Sequence, residues 1–118
     1  MVSVRMGEQD GRFFLLVEGH AGAAPKGRDV VCAAVSMLAQ TAVQEAVNYA
    51  AMYDGESFCI LTAEMGDGFL RLDTEANGAA AEAWRCAMHL VATGMEMLKE
   101  YHTEHVKFSW VEKKNAVC

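Results

Sequence analysis

Apolar and polar residues alternate over VSVRMG (2–7), the period of a half-buried strand. A polar turn at Gly11-Arg12 leads into FFLLVEGH (13–20), which is β-prone and densely apolar, so the two segments read as a hairpin. AGAAPKGR (21–28) then breaks the pattern with three glycine or proline positions. From Val30 to about Tyr53 the period becomes helical. Val35, Leu38, Ala42, Ala46, Tyr49 and Tyr53 fall on one stripe, with Gln40, Gln44 and Asn48 off it. Asp54-Gly55 ends that helix. FCILTAEM (58–65) and GFLRLDT (68–74) flank Gly66-Asp67, a two-residue hairpin signal. A second helix is predicted from about Gly78 to His102, with Ala83, Trp84, Ala87, Val91, Leu98 and Tyr101 on its apolar stripe. Gly94 interrupts it at a cost of about 1 kcal/mol relative to alanine, a cost that close packing would offset. HVKFSWVEK (105–113) alternates again and predicts a last strand.

The predicted order is therefore ββαββαβ in a single domain spanning 1–118. It suits an α+β two-layer sandwich: a mostly antiparallel five-stranded sheet with two long amphipathic helices on one face. The other face would stay partly exposed, and Phe13, Leu15 and Phe69 are expected to feed a dimer contact there.

Composition narrows the functional classes. A hydrophobic fraction of 53% and a charged fraction of 22% describe an ordinary folded domain, with no low-complexity tract. The formal net charge of −6 repels phosphate backbones and anionic lipid, which argues against nucleic-acid or membrane-surface binding and is compatible with a basic protein partner. No apolar run of about eighteen residues is evident, and the charged opening MVSVRMGEQDGR does not read as a signal peptide. Cysteines at 32, 59, 86 and 118 contain no close pair. They read as free thiols of a reducing compartment, and the cytoplasm is the expected location.

The chemistry concentrates in GHAGAAPKGRDVVCAAVS (19–36). His20 closes a strand where a loop begins. Asp29 precedes an apolar-periodic run and is the natural N-cap of the first helix. Cys32 then lies in the first helical turn, where free backbone N–H groups and the positive end of the helix dipole favour an anion. Thiols in such settings ionise more readily, and the thiolate is the attacking form. Asp29 opposes this electrostatically, so a nearby His20 taking the thiol proton would complete the activation. The amide of Cys32 and its neighbours would also face the oxyanion formed on a peptide carbonyl, at about 3 kcal/mol per donor. Ser36, one turn beyond Cys32, and Asp29 are alternative orienting groups. The bland reading of the same residues is a packed thiol, a plain helix cap and a helix-face hydroxyl.

This segment resembles the signature of the ribosomal-processing cysteine proteases, the Prp family. That pattern is G-H-A, a spacer, G-x-D, two aliphatics, C-A, a small residue, an aliphatic and S. Gly19, His20, Ala21, Gly27, Asp29, Val30, Val31, Cys32, Ala33, Ala34, Val35 and Ser36 fit it. The likeness extends along the chain to the TGMEML segment and the closing Y-x-x-x-H-V-K-F. It implies removal of a short apolar N-terminal extension, ending in an aromatic pair, from a large-subunit ribosomal protein precursor. The mature end of that protein starts with a small residue and lysines. It also implies Cys32 as nucleophile, His20 as catalytic histidine, Asp29 and Ser36 as supporting positions, and a homodimer. The loop containing Gly22, Pro25 and Gly27 would order over the substrate. That spacer is where the chain departs from relatives carrying an aromatic and an acidic residue, so it offers fewer contacts to aromatic substrate side chains. No cofactor and no metal are implied. The competing readings are a non-catalytic module binding a ribosomal protein or assembly intermediate, and a thiol redox protein, which lacks a second cysteine near Cys32.

Other candidates read as structural. Cys59 and Cys86 are expected in or near the core, and Cys118 at the chain end. His102 and His105, in H-T-E-H, lack the zinc-protease spacing. His89 has no acidic or thiol partner at helical spacing. The eight methionines suit irregular packing, Gly66-Asp67-Gly68 is a turn, and Lys113-Lys114 is too short for a nucleic-acid patch.

Overall fold

The computed structural model describes residues 1–25 and 27–112. Its elements follow the predicted order: β1 (Val2–Gln9), β2 (Arg12–Glu18), α1 (Val30–Met52), β3 (Phe58–Gly66), β4 (Phe69–Ala76), α2 (Gly78–Tyr101) and β5 (Val106–Glu112). The sheet order is β3-β4-β2-β1-β5. Three neighbouring pairs are antiparallel, and β5 returns beside β1 in parallel, so the sheet is mixed. Parallel neighbours need a crossover, and α2 is the body of the one that brings the chain back to β5. The predicted end of the last strand at Lys113 and the reading of Cys118 lie outside the described residues.

Alternation decides which strand residues meet the helices. Val2, Val4 and Met6 of β1, Phe13, Leu15 and Val17 of β2, and Leu70 and Leu72 of β4 are all buried beneath them. Phe13 and Leu15 are thus core residues, at 3% and 1% exposure, and cannot feed a contact on the open face. The FFLL run is apolar at both parities, so its composition does not reveal which side turns inward. Phe14 and Leu16 occupy the outer side, and Phe69 is half-buried. The hairpin between β3 and β4 turns at Asp67-Gly68, one residue later than the Gly66-Asp67 signal suggests. A bulge between Ile60 and Thr62 shifts the register on the edge strand β3.

Small residues let α1 lie close to its neighbours. Its buried positions are Val31, Val35, Ala39, Ala42 and Ala46, while Leu38, Tyr49 and Tyr53 are only partly covered. Leu38 lies over Gly94 of α2, where an added Cβ would come within 2.8 Å of its Cδ1. That contact explains a glycine inside a long helix. On α2 the inward set is Ala80, Ala81, Trp84, Met88, Val91, Ala92 and Met95; Tyr101 is 74% exposed, since the stripe has drifted off the sheet by the last turn. Trp84 is the largest fully buried side chain. Its Nε1–H donates to Thr74 Oγ1 at 2.8 Å, and its ring meets Tyr49 and Phe58 at centroid distances of 4.9 and 5.0 Å. An unpartnered indole N–H at that depth would cost about 1–3 kcal/mol, so Thr74 is the polar residue the core requires. Arg85 of α2 makes a two-pronged contact with Glu8 of β1, at 2.7 Å from Nη2 and 2.9 Å from Nε.

Cys59 and Cys86 are exposed rather than core thiols, because one falls on the outer parity of β3 and the other on the outer side of α2. By length and composition α1 is apolar enough to cross a bilayer, against the expectation from the sequence. Valine, alanine and methionine interleaved with uncharged glutamine and asparagine raise its mean hydropathy without a continuous apolar run. Here it packs on the sheet and on α2.

Candidate active site

Helix α1 starts where Asp29 can cap it. Asp29 is extended (φ −86°, ψ 95°), and its Oδ1 accepts from the Cys32 amide at 2.9 Å. Its other oxygen, Oδ2, accepts from the Ala23 amide at 3.0 Å, which binds the loop after β2 to the helix start. Those hydrogen bonds, the Cys32 bond foremost, hold the Asp29 carboxyl below its ordinary pKa of 3.8, against a smaller opposing effect of desolvation. These bonds remove the Cys32 amide from the oxyanion role expected from the sequence. The Cys32 amide is already committed to Asp29, and the Ala33 amide donates to the Asp29 carbonyl at 3.0 Å. Neither is free to meet an oxyanion.

His20 follows β2 directly, and its neighbours on both sides are tied down. The Gly19 amide donates to the Gly68 carbonyl at 2.8 Å, and the Ala21 carbonyl lies 3.1 Å from His105 Nδ1. Ala21 is buried, while the His20 side chain is 57% exposed. Its imidazole sits over the β3–β4 turn. Nε2 is 3.7 Å from Asp67 Oδ1, an ion-pair distance but too long for a hydrogen bond. Gly68 has φ +65°, and a Cβ there would lie 2.8 Å from His20 Nε2. The turn therefore needs glycine twice, for the left-handed backbone and for the space the imidazole occupies.

These elements enclose a cleft of about 570 Å³. His20, Cys32, Asp29, Ser36, Gly22 and Gly27 all contribute to its wall, as do Asp67, Gly68 and Gln40. Pro25 does not, although the Arg28 amide donates to its carbonyl in the turn that shapes the loop. Cys32, Ser36 and Gln40 recur every four residues and so present one face of α1 to the cleft. Among the described residues no hydrogen bond joins His20 to Cys32, Asp29 or Ser36; Asp29 organises backbone instead. No metal-binding cluster of histidine, cysteine and carboxylate groups occurs among the described residues. A second hollow, of about 640 Å³ on the open face near Arg5, Arg71 and Phe14, contains neither cysteine nor histidine.

The family profile described as cysteine protease Prp matches residues 1–107. The chain belongs to the Prp family of cysteine proteases. A search of curated proteins finds no match. Among solved structures, the Prp fold is shared with the essential ribosomal processing protease Prp from S. aureus. With a covalently linked product peptide that structure gives a TM-score of 0.64 at 19% identity, covering 94% of this chain and 100% of that one. With a substrate peptide it gives 0.65 at 17%, with the same coverage. A Streptococcus mutans protein matches with a TM-score of 0.66 at 22% identity, over 96% of each chain.

Sequence reasoning missed Asp67, Gly68 and His105. The first two sit in a motif that reads only as a turn, and His105 lies 84 positions from its partner Ala21. Their common signal is spatial. The Asp29 tether yields a direct test. A carboxyl with a depressed folded-state pKa stabilises the fold above its ordinary value, and the contribution is lost as pH falls through the folded value. Asp29→Ala is expected to melt below wild type at neutral pH, with the gap narrowing as the pH drops beneath 3.8. Thermal melts showing the same gap at both pH values would contradict this.

Proposed function

We propose that this chain is a cysteine endopeptidase that removes the N-terminal extension of a large-subunit ribosomal protein precursor in the cytoplasm. The observation that carries the reading is that His20 and Cys32 line one cleft in a chain of the Prp family. The S. aureus relative is a ribosomal processing protease, and its covalently linked product agrees with covalent catalysis.

Cys32 Sγ, deprotonated by His20, attacks the scissile carbonyl; a C–S bond forms and the carbonyl electrons move to oxygen. With the Cys32 amide held by Asp29, the side chains of Ser36 and Gln40, which line the cleft, donate to that oxyanion. Collapse breaks the C–N bond, and His20 delivers its proton to the leaving amine. Water, deprotonated by His20, then releases the acyl group as a carboxylic acid and restores the thiol. These steps draw on no metal or cofactor. The acidic chain favours a substrate with a lysine-rich mature end.

The working unit is a homodimer joined through the outer surface of the helices. In its 23 residues α1 has one charged group, Glu45, and it exposes Val30, Met37, Val47 and Met52. Beside it α2 exposes Leu90, Met97 and Tyr101. Two copies each bearing −6 approach with least repulsion where charge is sparse, as it is along α1. A helix of this length is about 34 Å long and about 10 Å wide. Two side by side offer roughly 700 Å², close to the roughly 800 Å² per partner of a stable interface.

Two measurements test these statements. Mass spectrometry of a peptide with an apolar stretch ending Phe-Phe, then Ala and lysines, is expected to show one cut near the aromatic pair. Cys32→Ala should abolish it, His20→Ala should slow it by about 10²–10⁴-fold, and the Ser36→Ala/Gln40→Ala pair should lower kcat more than it raises KM. An uncut but bound peptide would point instead to a binding module. Light scattering should give the mass of two chains, falling to one for Met37→Glu; a single-chain mass for the parent protein would refute the dimer.

A further inference from the structure

An exposed histidine makes a useful base only if its backbone is held, because rotation of the adjoining peptide swings the ring away from the thiol. The His20 imidazole has no hydrogen bond of its own among the described residues, and the described residues between Ala21 and Asp29 form no helix or strand. Its direction is therefore set by the bonds of the residues on either side. On the N-terminal side β2 and the Gly19–Gly68 bond fix the chain. On the C-terminal side the hydrogen bond that holds the loop's first residue comes from the His105 side chain, whose Nδ1 is 3.1 Å from the Ala21 carbonyl.

His105 is built as a rigid peg. Its own amide and that of Val106 both donate to the His102 carbonyl at 2.9 Å, and its carbonyl accepts from Val2 at 2.9 Å. The residue is thus locked between the end of α2 and the first rung of the β1–β5 pairing, with its ring reaching the Ala21 peptide. A carbonyl oxygen at that distance requires Nδ1 to bear the proton. Ala21 is itself 1% exposed, so its methyl is gripped by the core while its carbonyl is gripped by His105.

We propose that His105 is a positioning residue for the reaction: it clamps the peptide after His20 and so keeps the imidazole directed into the cleft. The proposal rests on the reading of His20 as the base. It does not place His105 in contact with substrate. Misplacement of a catalytic group by about 1 Å can cost on the order of 100-fold in rate, and that is the scale at stake here.

The test compares His105→Leu, which removes the donor, with His105→Asn, whose side-chain N–H can reach the same carbonyl. On the peptide described above, His105→Leu is expected to lose about 10–100-fold in kcat with KM within about twofold. His105→Asn should recover most of that loss. Undiminished kcat in the leucine variant would overturn the proposal, as would equal losses in both variants. If the leucine variant does not fold, long-range proton–nitrogen NMR of the wild-type chain decides. A His105 ring protonated at Nδ1 supports the clamp, and one protonated only at Nε2 refutes it. Failure of the wider protease reading looks different: wild type would leave the peptide uncut, and the clamp would fall with it. Failure of the clamp alone leaves wild type active, His20→Ala impaired and His105→Leu unaffected.

Discussion

The cleft is held together by one half-buried carboxylate. Asp29 caps α1 through the Cys32 amide and, with its second oxygen, fastens Ala23 of the preceding loop. A loop rich in glycine and alanine has few side chains with which to pack, so backbone bonds to a fixed acceptor define its start and end. The negative charge is satisfied by two amide donors, and the same bonds bring the thiol-bearing turn beside the segment that follows His20. Loop, helix start and the Cys32 turn thus share one anchor.

Around that anchor the fold supplies rigidity from three directions. The β3–β4 turn offers Gly68, which accepts from Gly19 and leaves room for the imidazole. The start of β5 offers His105, and the buried wall of α1 offers Val35 and Ala39 behind Cys32 and Ser36. The parallel pairing of β5 with β1 makes this arrangement possible, since it returns the end of α2 to the edge of the sheet where β2 ends. The fold in this way brings the Cys32 thiol and the His20 imidazole to the wall of one cleft.

Much of this is legible in the residues themselves. Changes of period mark all seven elements, and Asp29 before an apolar run places Cys32 in the first helical turn. The spacing from His20 to Ser36 carries the family likeness. What the chain does not reveal depends on parity or on distant contacts. FFLL is apolar on both sides, so Phe13 and Leu15 could not be separated from Phe14 and Leu16 without the sheet pairing. The apolar strand around Cys59 predicts an internal thiol, yet it faces outward. The helix start predicts a free Cys32 amide for an oxyanion, but the N-cap carboxylate of Asp29 occupies that donor. Asp67 and His105 reach the site only through tertiary folding: Asp67 sits in a plain turn, and the closing Y-x-x-x-H-V-K-F contains His105 without revealing its partner Ala21.

We propose that the cleft, not exposure, makes Cys32 the reactive thiol. Cys59 and Cys86 are exposed, whereas Cys32 is half-buried, so simple access and activation rank the thiols in opposite orders. Brief alkylation with iodoacetamide at mildly acidic pH, followed by peptide mapping of all four cysteines, separates the two. The expected result is modification of Cys32 first, with the advantage lost in His20→Ala. Labelling of Cys59 and Cys86 ahead of an inert Cys32 would contradict the assignment of the nucleophile.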